Sequence, residues 1–278
     1  MPTSSASSPT TVPIRLQDRA LEIEYRLIAP ERRDADLLVF LHEGLGSVAL
    51  WKSWPDELCA ATGCRGLVFS RDGYGASTPR PEAMRWPTHF MHDQAREALP
   101  VLFKALGLDR ERPILFGHSD GGSIALLYAA MYPERVKAIA VAAPHVFVED
   151  QTIASIEQAR ETYLKTDLKY KLSRYHRDAD SAFWGWNDIW LDPAFRAWNI
   201  ESFLPSIRCP ILAIQGEDDQ YGSLEQILRI QRQAPQTQLC VLSGCRHSPH
   251  VDQPQATIEA VVRFMENLTV PQQAIHSQ

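Results

Sequence analysis

A serine stands at the centre of the stretch Leu115 to Ala130, LFGHSDGGSIALLYAA. A short apolar run reaches Gly117-His118-Ser119-Asp120-Gly121 and turns into an apolar helical pattern with no polar spacer. Strand-to-helix connections ordinarily take about two to six residues, so a reversal this abrupt has a steric requirement. Side chains two positions either side of the serine would collide, and glycine occupies both places. A Gly-x-Ser-x-Gly pattern between a strand and a helix lifts the hydroxyl above the sheet edge. There the unpaired N–H groups and dipole of the helix favour developing negative charge. A hydroxyl is a poor nucleophile near neutral pH; it needs a base, and the base needs a third group to hold it.

Two later stretches offer those partners. PILAIQGEDDQYG places Glu217, Asp218 and Asp219 directly after an apolar run. VLSGCRHSPHVDQP places His247 and His250 in the loop after the last such run. Taken as residues alone, any of the three acids and either histidine fits.

The elements that must position these groups follow from hydrophobic periodicity. PIRL and LEIEYRLI read as a hairpin, followed by strands at DLLVFLH, GLVFSR, PILFGHS, KAIAVAAP, PILAIQG and TQLCVLS. Helical patterns separate most of them: one around Trp51 to Ala61 ending at Gly63, one over Met91 to Leu106, one after Ser119, and a last one with Ile258, Val261, Val262 and Met265 on one face. Pro100 inside the second pattern predicts a kink or a late start. Eight strands alternating with helices predict an α/β architecture, a mainly parallel eight-stranded sheet with helices on both faces. Residues 147–207 break the alternation: no strand pattern, helical spacing and many aromatics. This segment is expected to be a helical insertion over one end of the sheet, with 13–146 and 208–270 forming the core and 1–12 a disordered leader. Most of its aromatics are expected to glue it to the core. Pockets form where two packing units meet, so Trp184, Trp186 and Trp190 are candidate substrate contacts. His145, where the chain leaves the sheet, is another, although a structural histidine at a strand end suits it better.

Composition excludes several classes. A formal charge of −6 over 278 residues gives no basic field for nucleic acid or an anionic membrane surface, which favours a neutral or apolar small-molecule substrate. No apolar run approaches the roughly 20 residues needed to span a bilayer, and the N-terminal stretch lacks the features of a secretory signal. The five cysteines form no CxxC pair and the nine histidines no HExxH, so free thiols, a cytoplasmic setting, and neither metal nor cofactor are expected. The oligomeric state, monomer or homodimer, is left open.

With these residues in place the chain resembles α/β-hydrolase-fold enzymes from about Leu38 to the end of the last helix, least in the insertion. The order serine, acid after the penultimate strand, histidine after the last is that family's order. The resemblance implies Ser119 as nucleophile. Asp219, three residues after Gly216, is then the acid, and His247, before a Pro and a small polar cluster, the base. It also implies an oxyanion hole from the N–H groups of Asp120 and Gly44, with Leu45 as the fallback donor. Relatives carry His-Gly-x where this chain has His42-Glu43-Gly44, and Asp where it has Ser70. Glu43 is expected to face solvent or neighbouring loops, and Ser70 to be a turn variation. The activity implied is cleavage of small to medium, largely apolar esters or lactones through an acyl-enzyme. Two rivals share the fold. One is a carbon–carbon hydrolase of aromatic ring-fission products, which would want a base such as Arg160, Lys165, Lys169 or Arg174 for a substrate carboxylate. The other is a small-ligand receptor.

Overall fold

The computed structural model describes residues 10–269. The expected leader therefore lies outside the described residues except for its last three. Of these, Thr11 and Val12 already belong to the first strand.

β1 (Thr11–Leu16) and β2 (Arg19–Ile28) form the hairpin, and β3 (Leu37–Leu41) follows. α1 (Trp54–Thr62) carries Pro55 in its first turn and stops at Gly63, whose φ of 70° admits glycine readily. After β4 (Arg65–Phe69), α2 (Phe90–Asp93) passes into a π-helical turn at Gln94–Ala98 and then into α3 (Leu99–Ala105). The predicted disturbance at Pro100 takes this form. The Leu99 N–H reaches back five residues to the Gln94 carbonyl, and Pro100 then falls in the first turn of a fresh segment, where its missing N–H is not needed.

β5 (Ile114–His118), α4 (Asp120–Met131) and β6 (Ala138–Ala142) complete the first half. The insertion holds α5 (Asp150–Lys165), α6 (Leu168–Leu172), α7 (Ala179–Trp190) and two 3₁₀ turns. Its neck closes sooner than the sequence suggests: Phe147 bridges Asn199, and the Ile200 N–H donates to the Val146 carbonyl at 2.8 Å. The following turn, Glu201–Ser206, buries Leu204 in the core. β7 (Ile211–Gly216), α8 (Glu225–Gln233), β8 (Thr237–Leu242), α9 (Pro249–Asp252) and α10 (Pro254–Thr269) end the chain.

The eight strands form one sheet in the order β1-β2-β4-β3-β5-β6-β7-β8. β2 runs antiparallel to β1 and β4, and every pairing from β4 through β3 to β8 is parallel. Alternate residues point to opposite faces, and both faces are covered. Val39, Leu41, Leu115, Val141 and Ala213 pack under α3, α4 and the insertion. Leu38, Phe40, Phe116, Ala140 and Ile214 pack under α1 and α10, against Leu58, Val261 and Phe264.

This pairing sets the C-terminal ends of the central strands side by side, with Leu41 opposite Gly117, His118 opposite Ala142 and Gly216 opposite Leu242. Ligand sites in parallel sheets lie at that edge. The backbones there approach closely: a Cβ on Gly121 would stand 2.1 Å from the Leu41 carbonyl oxygen, and one on Gly117 would stand 2.3 Å from that of Gly121. Neither neighbour is a side chain that can swing away. Gly121→Ala is therefore expected to cost about 3 kcal/mol and lower the thermal midpoint by roughly 10 °C. Gly63→Ala meets nothing within 4 Å and carries only backbone strain, about 1 kcal/mol. Equal losses in thermal melts of the two variants would mean that the contacts above do not govern Gly121.

Candidate active site

Ser119 sits between β5 and α4 with φ 52° and ψ −119°, a strained conformation for a residue with a side chain, costing about 1–3 kcal/mol. Its N–H is held by the Ala142 carbonyl at 2.9 Å, and its carbonyl accepts from Ser123 at 3.0 Å. The strain places the hydroxyl 3.0 Å from His247 Nε2. His247 Nδ1 in turn lies 2.9 Å from each carboxylate oxygen of Asp219. An Nδ1–H pointed at a carboxylate leaves Nε2 as the acceptor facing the serine.

The acid and the histidine are brought together by a loop crossing. The chain at Cys245 passes directly over Gly216, where a Cβ would stand 2.2 Å from the Cys245 carbonyl oxygen. Asp218 donates its own N–H to that carbonyl at 2.9 Å and leaves its side chain exposed, as does Glu217. Asp219 is buried, so the run of three acids resolves by position. Asp219 also accepts from Gln215 Nε2 at 2.6 Å and from the N–H groups of Tyr221 and Gly222 at 2.8 and 3.3 Å. Burial would raise its pKa, but the His247 hydrogen bond and charge, helped by the Tyr221 N–H, hold it below the usual carboxylate value. Gln215, a fully buried amide in an otherwise apolar strand, is the polar exception that pattern reading passed over.

Asp120 follows the serine as the first residue of α4, and Gly44 lies in the loop after β3, whose start meets the serine turn where Gly121 abuts the Leu41 and His42 carbonyls. Among the described residues neither N–H donates to another protein group. The Trp186 indole lies against Gly44, so close that a Cβ there would stand 2.1 Å from Trp186 Cδ1. Trp190 is buried and donates Nε1–H to Asp120 Oδ1 at 3.2 Å. Its ring also meets that of His145 at 5.0 Å. His145 lies 5.9 Å from His247 between ring centres, fastened through its backbone to Ser123 Oγ. Burial first, then the charge of His247, lowers its pKa to about 3, so it is a neutral wall of the site. Trp184 is not brought to the serine. It lies on the far side of α7, beneath Arg160 and in an outer cleft with Arg80, Arg85 and Asp188. The helical period separates it from Trp186 by two residues and half a turn.

Several charged or polar groups escaped the sequence reading because their partners are remote in the chain. Arg71, only 3% exposed, donates Nη2–H to the Glu43 carbonyl at 2.8 Å and stands 3.7 Å from Asp120 Oδ2. Its backbone N–H donates to His42 Nε2 at 3.0 Å, which leaves the His42 Nδ1–H for the Glu43 carbonyl. Burial and the Arg71 charge hold His42 well below the ordinary histidine value. His176 from the insertion accepts from Gly75 N–H at 3.0 Å and reaches the Leu45 carbonyl at 2.9 Å. It thereby pins the insertion to the loop that carries Gly44. Ser70 donates to Glu24 at 2.6 Å and accepts from Val48 N–H at 2.9 Å, which makes it a structural tie between strand and loop. Glu43 turns toward His118 of the neighbouring serine turn and stays partly exposed.

The Arg71–Asp120 pair predicts a pH signature. Burial raises the Asp120 pKa, while Arg71 and the Trp190 hydrogen bond oppose the rise. Arg71→Met removes the larger opposing influence and leaves a buried carboxylate without its cation, a loss of about 3–5 kcal/mol. A folded-state pKa above the unfolded one means that the native state binds the extra proton, so stability lost at pH 8 should be regained as pH falls toward 5.5. Denaturant midpoints of variant and wild type at the two pH values test this, and a gap that does not narrow on acidification would refute it.

Residues 38–260 match the family model described as "Alpha/beta hydrolase family". A (lyso)-N-acylphosphatidylethanolamine lipase from Mus musculus is 33% identical over 138 residues, which are 50% of this chain and 39% of the lipase. The chain thus spans well under two thirds of that relative. A 2-hydroxy-6-oxo-6-phenylhexa-2,4-dienoate hydrolase from Burkholderia cepacia is 21% identical over 95% of this chain and 99% of its own length. Among solved structures, a thermophilic esterase from Thermogutta terrifontis superposes with a TM-score of 0.71 at 17% identity, over 95% of this chain and all of the esterase; at that identity the likeness is one of fold. With the family match extending from β3 into α10, over an eight-stranded sheet in the order described above, the chain belongs to the alpha/beta hydrolase family.

Proposed function

We propose that the protein is a serine hydrolase that cleaves small to medium, largely apolar carboxylic esters or lactones through an acyl-enzyme. The observation that carries this reading is the continuous hydrogen-bonded chain from Asp219 through His247 to Ser119, with spacings of 2.9 and 3.0 Å, ending on a strained serine. Ser119 Oγ attacks the carbonyl carbon while His247 Nε2 takes its proton. The developing oxyanion is met by the Asp120 and Gly44 N–H groups, donors worth about 2.7–4 kcal/mol each in such sites. His247 then protonates the departing alkoxide. A water attacks the acyl-enzyme by the same route in reverse, with His247 as base, and the acid leaves. Asp219 holds the Nδ1–H tautomer throughout and stabilises the imidazolium.

The apolar preference rests on what surrounds the serine. Trp186 roofs Gly44, and Tyr221 and His145 lie 4.6 and 5.9 Å from His247 between ring centres. The four candidates for a cation that binds a substrate carboxylate in the carbon–carbon reading are engaged elsewhere. Arg160 pairs with Asp188, Lys165 with Glu161 and Lys169 with Asp180, and Arg174 lies over Tyr170. The dienoate hydrolase of Burkholderia cepacia keeps the carbon–carbon reading as the second candidate, because its alignment runs nearly the full length of both chains.

A fluorophosphonate probe is expected to label the native protein and not Ser119→Ala, which should retain the native circular dichroism. A panel of acyl esters and lactones, with Ser119→Ala as control and a ring-fission dienoate as comparator, then assigns the substrate class. Asp219→Asn should lower kcat by up to ~10⁴ through the wrong histidine tautomer. Asp218→Asn, whose side chain is exposed, should change kcat by less than about threefold. Labelling at another serine, or a larger loss at Asp218, would remove the basis for this assignment.

A further inference from the structure

Three loops that carry the site meet behind Ser119 at one buried imidazole. His118, the residue before the serine, is 1% exposed. Its Nε2 lies 2.8 Å from the His247 carbonyl oxygen, and its Nδ1 lies 3.5 Å from Glu43 Oε2. A carbonyl oxygen only accepts, so Nε2 carries a hydrogen. In a neutral ring Nδ1 would then hold a lone pair facing a carboxylate, which is repulsive. A proton on Nδ1 turns that repulsion into an ion pair and gives His118 two donors for two acceptors.

We propose that His118 is held as an imidazolium by Glu43, and that this ion pair is the positioning device that sets the His247 loop against Ser119. The proposal rests on the hydrolase reading of Ser119 and His247 given above. Glu43 precedes Gly44, His118 precedes Ser119, and the His118 hydrogen bond holds the backbone of His247 itself. One charge pair thus ties the loop of the oxyanion donor, the nucleophile turn and the loop of the base. A shift of about 1 Å at any of them can cost on the order of a hundredfold in rate.

The surroundings select His118 as the cation. Glu43 is also faced by His42, His250 and His176. Burial together with neighbouring cations lowers His42, burial outweighs the opposing influences at His176, and burial and the His118 charge lower His250 to about 3. Burial pulls His118 down as well, but the Glu43 carboxylate 3.5 Å away, the His247 carbonyl and the more distant Asp219 raise it above the ordinary histidine value. Burial likewise acts to raise Glu43, and the neighbouring His118, with His42 and His250 behind it, brings it below the ordinary carboxylate value. The Glu43 side chain keeps 27% of its surface exposed, so its charge retains part of its hydration. His145 also faces this cluster and is neutral.

The direction of the pH dependence follows. A lowered Glu43 contributes fully above its unfolded value and is lost only as pH falls through the folded one. A raised His118 contributes fully below its unfolded value and is lost as pH rises through the folded one. The pair is therefore complete between the ordinary carboxylate and ordinary histidine values, and it dissolves as pH rises through the raised value of His118.

The test uses the full-length protein with ¹³C-labelled histidine, as wild type, Glu43→Gln, His118→Gln and the double variant. His118→Gln keeps an N–H donor for the His247 carbonyl, drops the charge, and identifies the His118 resonance. In wild type that resonance is expected to titrate above the ordinary histidine value of about 6.5, and in Glu43→Gln its proton affinity should fall at least about tenfold. With an aryl ester, each single variant should lower kcat about tenfold with KM within about twofold, and the double variant should be no worse than either single, because both break one interaction. A His118 that titrates at or below the ordinary value, a Glu43→Gln variant with wild-type kcat, or additive losses near a hundredfold would each overturn the proposal. Circular dichroism of each variant separates these outcomes from misfolding. Absence of fluorophosphonate labelling in wild type would instead overturn the hydrolase reading and the positioning role with it, while the titration would still decide the ion pair.

Discussion

Everything at this site depends on backbones that come closer than a side chain would allow. Gly121 lies against the Leu41 carbonyl, Gly117 against the turn of α4, and Gly216 beneath the Cys245 carbonyl. These contacts stack three loops at the C-terminal edge of the sheet with no layer of side chains between them. The consequence is reach. Hydrogen bonds of about 3 Å can connect Asp219, His247 and Ser119 although His247 and Ser119 are 128 residues apart. A methyl group at either glycine flanking the serine would push these loops apart by more than such a bond tolerates.

That stacking creates an electrostatic problem as well as a geometric solution. His42, Arg71, His118, Asp120, Asp219 and His250 are all buried at the same edge. A buried charge is costly unless it is paired. Arg71 is matched with Asp120 and, in the pairing proposed above, His118 with Glu43; the Asp219 carboxylate lies against His247 Nδ1 and accepts from Gln215, Tyr221 and Gly222, while His42, His145 and His250 are kept neutral by burial and by nearby cations. The proposed base is consequently flanked by fixed charges and dipoles, groups that act on a transition state without reorganising.

The insertion contributes through particular side chains. His176 bridges Gly75 and the Leu45 carbonyl, Trp186 covers Gly44, and Trp190 donates to Asp120. Each touches the loop or helix end that offers a proposed oxyanion donor. A change in the packing of α7 would therefore be felt at Gly44 and Asp120 before it reached Ser119.

The sheet and the serine were legible in the sequence because both depend on local chemistry. Continuous apolar runs specify strands covered on both faces, and glycine at 117 and 121 answers a steric demand within five residues. Gln215 left a readable trace as well, a buried amide among aliphatics. The choice among Glu217, Asp218 and Asp219 was not local: it turns on which carboxylate lies under a chain that crosses Gly216 from thirty residues further on. Helical period alone sets Trp184 half a turn from Trp186, but which of the two faces of α7 meets the core was decided by packing. Arg71, His118 and His176 look like ordinary polar residues until the fold supplies their partners. Hydrophobic burial is decided residue by residue and shows in the pattern of the chain. A buried charge is decided by its counter-charge, which only the tertiary structure brings within reach.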